Sequence, residues 1–121
     1  MARDISAGTI VWVRLGPRGG YKERPAVALS APDSDGNVYI VVGTTQAGED
    51  PATEIALPFS SPVRHPLTKL RQPTVVCLTW REKIHCTSIR EIGGECPAPL
   101  LLDIVRKLRA LAQTRGDTKS A

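Results

Sequence analysis

An α+β fold, a small and strongly bent antiparallel sheet closed by one C-terminal helix, is what this 121-residue chain predicts. Two observations carry the prediction. The first two thirds consist of short runs rich in Val, Ile and Thr, separated by clusters of Gly, Pro and Asp. The last third changes period: Leu101, Ile104, Val105, Leu108 and Leu111 recur at helical spacing. A chain of this length forms one domain and buries a core without disulfide staples. We assign the domain to residues 1–113 and read 114–121 as a polar tail that frays.

The elements follow in order. Thr9-Ile10-Val11-Trp12-Val13-Arg14-Leu15 reads as a strand, and Ala26-Val27-Ala28-Leu29-Ser30 as its hairpin partner. The glycine-rich basic loop between them ends on Arg24-Pro25. Proline fixes φ just after Arg24, so that arginine can offer a fixed fork of donors to a phosphate. The same segment also suits a surface hairpin with solvated charges. Residues 31–37 form a dense turn cluster. The unbroken apolar run inside Val38–Gln46 predicts a strand buried on both faces. Residues 47–53 are a polar, acidic loop, and Glu54–Pro58 alternates like a half-buried strand. Residues 60–66 carry two prolines and read as irregular. Thr74–Trp80 is a strong strand, and Lys83–Ile92 a short strand or a turn followed by one. In the helix, Arg106, Lys107 and Arg109 occupy the rest of the surface, near the end where cations suit the dipole.

Charge is modest in total, +4, and uneven along the chain. Residues 1–30 carry five basic and two acidic side chains, residues 31–60 five acidic and no basic ones, and residues 61–90 six basic and one acidic. If the first and third blocks pack together they make a positive face, which attracts a polyanion. The chain has no apolar run long enough for a membrane helix and no signal-peptide core, so the cytoplasm is the expected compartment. Cys77, Cys86 and Cys96 match no disulfide framework. With His85 they also lack the Cys-x-x-Cys pair of a zinc site, so buried reduced thiols are expected. No P-loop, dinucleotide fingerprint, zinc-hydrolase helix or nucleophile elbow occurs, and His65 and His85 read as surface residues.

What remains is polar chemistry at strand ends. Arg24 closes the first loop, whose Arg18, Tyr21 and Lys22 can bind substrate. Thr44, Thr45 and Gln46 end the longest strand, and Thr79, Trp80 and Arg81 end another. Cations and hydroxyls hold a phosphodiester, amides read base edges, and an aromatic stacks a base. Thr44 and Thr45 could equally cap a turn.

The order Gly8–Val13, the glycine loop, Arg24–Ser30, then Val41-Val42-Gly43-Thr44-Thr45-Gln46 resembles the MazF/PemK (Kid) toxins of type II toxin–antitoxin systems. Leu70–Val76, Ile84, Ile92-Gly93 and the terminal leucine-rich helix extend the resemblance over roughly residues 8–112. It implies an SH3-like barrel with a C-terminal helix, a homodimer, and an antitoxin partner that lays an acidic segment across the groove. It further implies an endoribonuclease that cuts single-stranded RNA with no metal or other cofactor. In that chemistry the ribose 2′-hydroxyl attacks phosphorus and leaves 2′,3′-cyclic phosphate and 5′-hydroxyl ends. The family's Arg falls on Arg24 and its Ser/Thr on Thr44, which would be the catalytic pair. The chain departs from the family where many members carry an acidic residue followed by Gln: here stand Thr79-Trp80. Cys77 stands where PemK-like members have an Arg. The carboxylate-based variant of the mechanism therefore does not carry over, and a non-catalytic barrel that binds RNA or a protein is the alternative.

Overall fold

A computed structural model describes residues 4–15, 22–45 and 50–120, with helix side chains as far as Gln113. Six strands form one antiparallel sheet: β1 Thr9–Leu15, β2 Lys22–Ala28, β3 Asn37–Thr44, β4 Glu54–Leu57, β5 Thr74–His85 and β6 Ile89–Glu95. Their spatial order is β4-β5-β3-β2-β1-β6, so β2 and β3 lie at the centre. Helix α1, Ala98–Ser120, follows. The sheet is strongly curved and barrel-like, the α+β fold the sequence predicts.

Alternation places one apolar set on each face. Val11, Val13, Ala26, Ala28, Val38, Ile40 and Val42 join Ile5 and Ile89 in one cluster. Ile10, Val27, Val41, Val76 and Leu78 join Ile55, Leu57 and Leu70 in the other, under Ile104 of the helix. The continuous run in β3 is thus buried on both faces, Val41 on one and Ile40 and Val42 on the other. The predicted helix face contributes Ile104, Leu101, Leu108 and Leu111 to this core, and Leu100 joins them in place of Val105. No proline follows Pro99, and the helix runs on through the segment read as a polar tail, to Ser120.

Two strands differ from the sequence reading. Strand β2 begins at Lys22 and contains Pro25. Its ladder with β3 starts only at Ala26, so the proline stands where β2 pairs on one side alone, opposite Trp12. Strand β5 does not stop at Trp80 but continues to His85. Val42 faces Cys77 while Val41 faces Arg81, so Leu78, Thr79 and Trp80 bulge out of register with β3. A bulge bends and twists its strand, which lets β5 serve two halves of the sheet.

The turn at 31–37 behaves as predicted: Asp33 Oδ1 accepts from the N–H groups of Asp35 and Asn37, and Gly36 takes φ 82°. The hydrogen bond from Asn37 leads the causes that hold the Asp33 carboxyl below its ordinary value. The segment between β4 and β5 is irregular yet tightly organised. His65 Nδ1 accepts from the N–H groups of Leu67 and Thr68, the Thr68 hydroxyl donates to Pro58 O, and Ser60 N–H donates to Leu70 O. His65 is therefore a loop organiser rather than the bare surface residue of the sequence reading. Glu95 N–H donates to Leu67 O and ties this loop to β6.

Cys96, buried against the helix, shows how far the core is closed. Burial pushes its thiol from the ordinary 9.0 up to about 11. Only the thiolate is nucleophilic, so at about pH 8 iodoacetamide is expected to alkylate Cys96 in denaturant and to spare it in the folded protein. Equal rates in both states would show an open core. The unfolded thiol ionises first, so the unfolded state holds fewer protons between about 9 and 11. Through that window the contribution of Cys96 to stability falls as pH rises; below it nothing is lost.

Candidate functional site: a basic cleft at the β2–β3 end

Register brings Arg24 and Thr44 together. Ala28 faces Ile40 and Ala26 faces Val42. The ladder ends there; continuing its register by two residues along each strand would set Arg24 across from Thr44, and residues so opposed share a face. The strands stay close there, since a Cβ on Gly43 would lie 3.1 Å from the Pro25 carbonyl oxygen. Both residues line a cleft of about 670 Å³ at this end of the sheet, with Gly43, Pro25 and Thr74 beside them. One wall is the organised loop, which supplies Arg64, Lys69 and Arg71; Leu70 between them anchors it in the core. Lys69 holds φ 63°, the left-handed region. The other wall is Trp12 with Glu91, Ile92 and Gly93.

Five cations, Lys22, Arg24, Arg64, Lys69 and Arg71, and two carboxylates, Glu23 and Glu91, line this cleft. Cations of the first and third charge blocks thus line one cleft, the condition under which the sequence gives a positive face. Such a site concentrates anions at its mouth, and a guanidinium beside a hydroxyl suits a phosphodiester oxygen. Five cations in a cleft that also holds Trp12 suit a strand of phosphates with unstacked bases.

Among the sequence-predicted site residues, Lys22, Arg24, Thr44 and Thr45 line the cleft. Thr79, Trp80 and Arg81 do not: they stand in or beside the β5 bulge, Thr79 and Arg81 exposed and Trp80 half-buried. Trp80 instead lies against Arg24, whose guanidinium carbon is 5.0 Å from the ring centroid. Arg24 Nε is buried with no hydrogen-bond partner. Arg18, Tyr21 and Gln46 fall outside the described residues. Sequence reasoning missed Trp12, Arg64, Lys69, Arg71, Gln72 and Glu91 as site residues. The charge of residues 61–90 was the signal for Arg64, Lys69 and Arg71, but charge alone does not say which cations line a cleft; Trp12, Gln72 and Glu91 carried no signal.

The rest of the polar inventory sits elsewhere. His85 is paired with Thr87 at the far end of β5. Cys77, opposite both Val42 and Glu54, has its thiol pushed up first by burial and then by Glu54, with Arg24 pulling the other way. Cys86 Sγ lies 4.0 Å from His85 Nδ1, but among the described residues no three His, Cys, Asp or Glu cluster as metal ligands. No described helix is long and apolar enough to cross a membrane.

Fold and cleft together define a small curved-sheet protein with a cationic groove where its central strands end. The profile of the PemK-like, MazF-like toxins of type II toxin–antitoxin systems matches residues 6–112, and the chain belongs to that family. Sequence comparison with curated proteins gives no match. Among solved structures the chain is similar to MazF of Deinococcus radiodurans, Form-I. The TM-score is 0.70 at 24% identity, over 93% of this chain and 98% of that one. It is similar also to MazE–MazF from the same organism, Form-I, with TM-score 0.68 at 26% identity over 93% and 98% of the two chains. For Form-II of that complex the values are 0.67, 23%, 89% and 95%.

Proposed function

We propose that this chain is the toxin of a type II pair and a metal-independent endoribonuclease acting on single-stranded RNA. The observation that carries the reading is the convergence of Arg24 and Thr44 on one cationic cleft. A ribose 2′-oxygen attacks the adjacent phosphorus and loses its proton. The P–O5′ bond breaks, and the departing oxygen takes up a proton. The products are a 2′,3′-cyclic phosphate and a 5′-hydroxyl end. Arg24 stabilises the charge that accumulates on the phosphorane, and the Thr44 hydroxyl donates to a phosphate oxygen. Arginine stays protonated, with a pKa above about 12, so its contribution is electrostatic rather than acid catalysis. Arg64, Lys69 and Arg71 hold flanking phosphates, and Trp12 offers a face to a base.

The same positive groove suits the acidic segment of an antitoxin, by electrostatic complementarity along an extended peptide. The Deinococcus radiodurans relative is found as a MazE–MazF complex, and we assign this chain an antitoxin partner on that analogy; a homodimer and the cytoplasm are what the family resemblance implies. A second reading, a barrel that binds RNA without cutting it, is favoured by Thr79-Trp80 standing in place of the family's acidic-Gln pair.

The deciding experiment incubates the purified protein with a long single-stranded RNA in EDTA, alongside Thr44→Ala. Cleavage with 5′-hydroxyl products, weakened in Thr44→Ala and absent on a 2′-deoxy substrate, is expected. Salt-sensitive binding without cleavage selects the second reading.

A further inference from the structure

We infer that Trp80 is a positioning residue for Arg24, which it holds by a cation–π contact; the inference rests on the ribonuclease reading above. The contact joins two strands that are not neighbours. Arg24 is on β2 and Trp80 on β5, with β3 between them. The β5 bulge makes the reach possible. Leu78 turns into the core, and its N–H donates to Thr53 O, while Thr79 is exposed. Trp80 packs on the edge of the cluster formed by Val11, Val13 and Val42. Its ring centroid then stands 5.0 Å from the Arg24 guanidinium carbon.

The chemistry explains why an indole serves here. A carboxylate beside Arg24 would hold the guanidinium, but it would also cancel its charge and occupy its N–H donors. An aromatic face attracts the cation through its quadrupole and leaves both the charge and the donors to an incoming anion. Arg24 Nε is buried with no hydrogen-bond partner, so the contact that holds the guanidinium beside Trp80 is not a hydrogen bond through that atom. Trp80 is therefore no base-stacking residue. It acts through Arg24.

The test compares wild type, Trp80→Ala, Trp80→Phe, Arg24→Ala and the Arg24→Ala/Trp80→Ala double variant. Ring current should shift the Arg24 Nε–H proton resonance upfield in wild type and in Trp80→Phe, and Trp80→Ala should return it to the ordinary position. In RNA cleavage, Trp80→Ala should lower kcat by roughly ten-fold with KM unchanged, and Trp80→Phe should recover most of it. On the Arg24→Ala background, Trp80→Ala should cost nothing further. A raised KM with kcat intact would make Trp80 an RNA contact and overturn the inference, as would additive losses in the double variant. Absence of cleavage by wild type sinks the ribonuclease reading alone. An unshifted Nε–H resonance sinks the Arg24–Trp80 pairing whether or not RNA is cut.

Discussion

Arg24→Ala is expected to lower RNA cleavage by about 10²–10³ while the fold stays intact, the usual cost of removing one well-placed electrostatic donor. The magnitude follows from the setting. Arg24 is only half-exposed, it lies over Trp80, and it shares its cleft with Thr44. Charge that develops on a phosphorane there meets a guanidinium already in place, so little reorganisation is needed. Arg24→Lys is expected to recover little. An ammonium is a compact, strongly hydrated charge without the planar fork, and its shorter contact with the indole moves it off the phosphate. RNA affinity should fall far less than rate, because Lys22, Arg64, Lys69 and Arg71 still hold the backbone. Single-turnover rates and binding curves at one salt concentration check both statements. A variant that cuts at the wild-type rate would remove Arg24 from the chemistry.

Gly94→Ala is expected to destabilise the protein by about 3 kcal/mol, at the upper end of overpacking costs. A Cβ at Gly94 would collide with the Leu67 carbonyl oxygen and lie 2.5 Å from the Thr68 carbonyl carbon. These are backbone atoms, and a rotamer change cannot relieve the clash. Leu67 O also accepts from Glu95 N–H, so the loop and β6 must separate for the methyl to fit. That loop carries Arg64, Lys69 and Arg71, so the cationic wall of the cleft moves with it. For a domain of this size the melting temperature should drop by roughly 10 °C, and cleavage should fall as the wall is displaced. Gly93→Ala is the graded control. Its Cβ would lie 3.2 Å from Trp12 Nε1 and 3.3 Å from the Ile10 carbonyl oxygen, so a smaller loss is expected. Equal stability for Gly94→Ala and wild type would mean that the loop does not dock on β6 as described.

Much of the fold was legible because period is an intrinsic property of a chain. The helix face built on Ile104 and the doubly buried run of β3 were both readable, since apolar spacing alone selects helix or strand. The Asp33–Asn37 turn was readable for a similar reason: Asx chemistry is local. The β5 bulge was not readable. Its three extra residues exist only relative to the register of β3, and nothing in Leu78-Thr79-Trp80 announces an offset. The role of His65 was hidden in the same way, because the N–H groups it collects belong to a loop whose path is set by docking on β6.

The candidate site divides along the same line. Arg24-Pro25 and Gly43-Thr44-Thr45 could be picked out as strand-end chemistry, and family resemblance added their roles. Trp80 was read as a base-stacking residue, and its place against Arg24 rather than in the cleft could come only from coordinates. By itself the sequence determined the order of strands and helix, the two apolar faces and the supply of cations, because each depends on neighbours along the chain. Which cations meet, and what holds Arg24, was decided by tertiary structure. Those contacts join residues from β2, β5 and a docked loop whose distances are set by strand register and packing, quantities that no local pattern encodes.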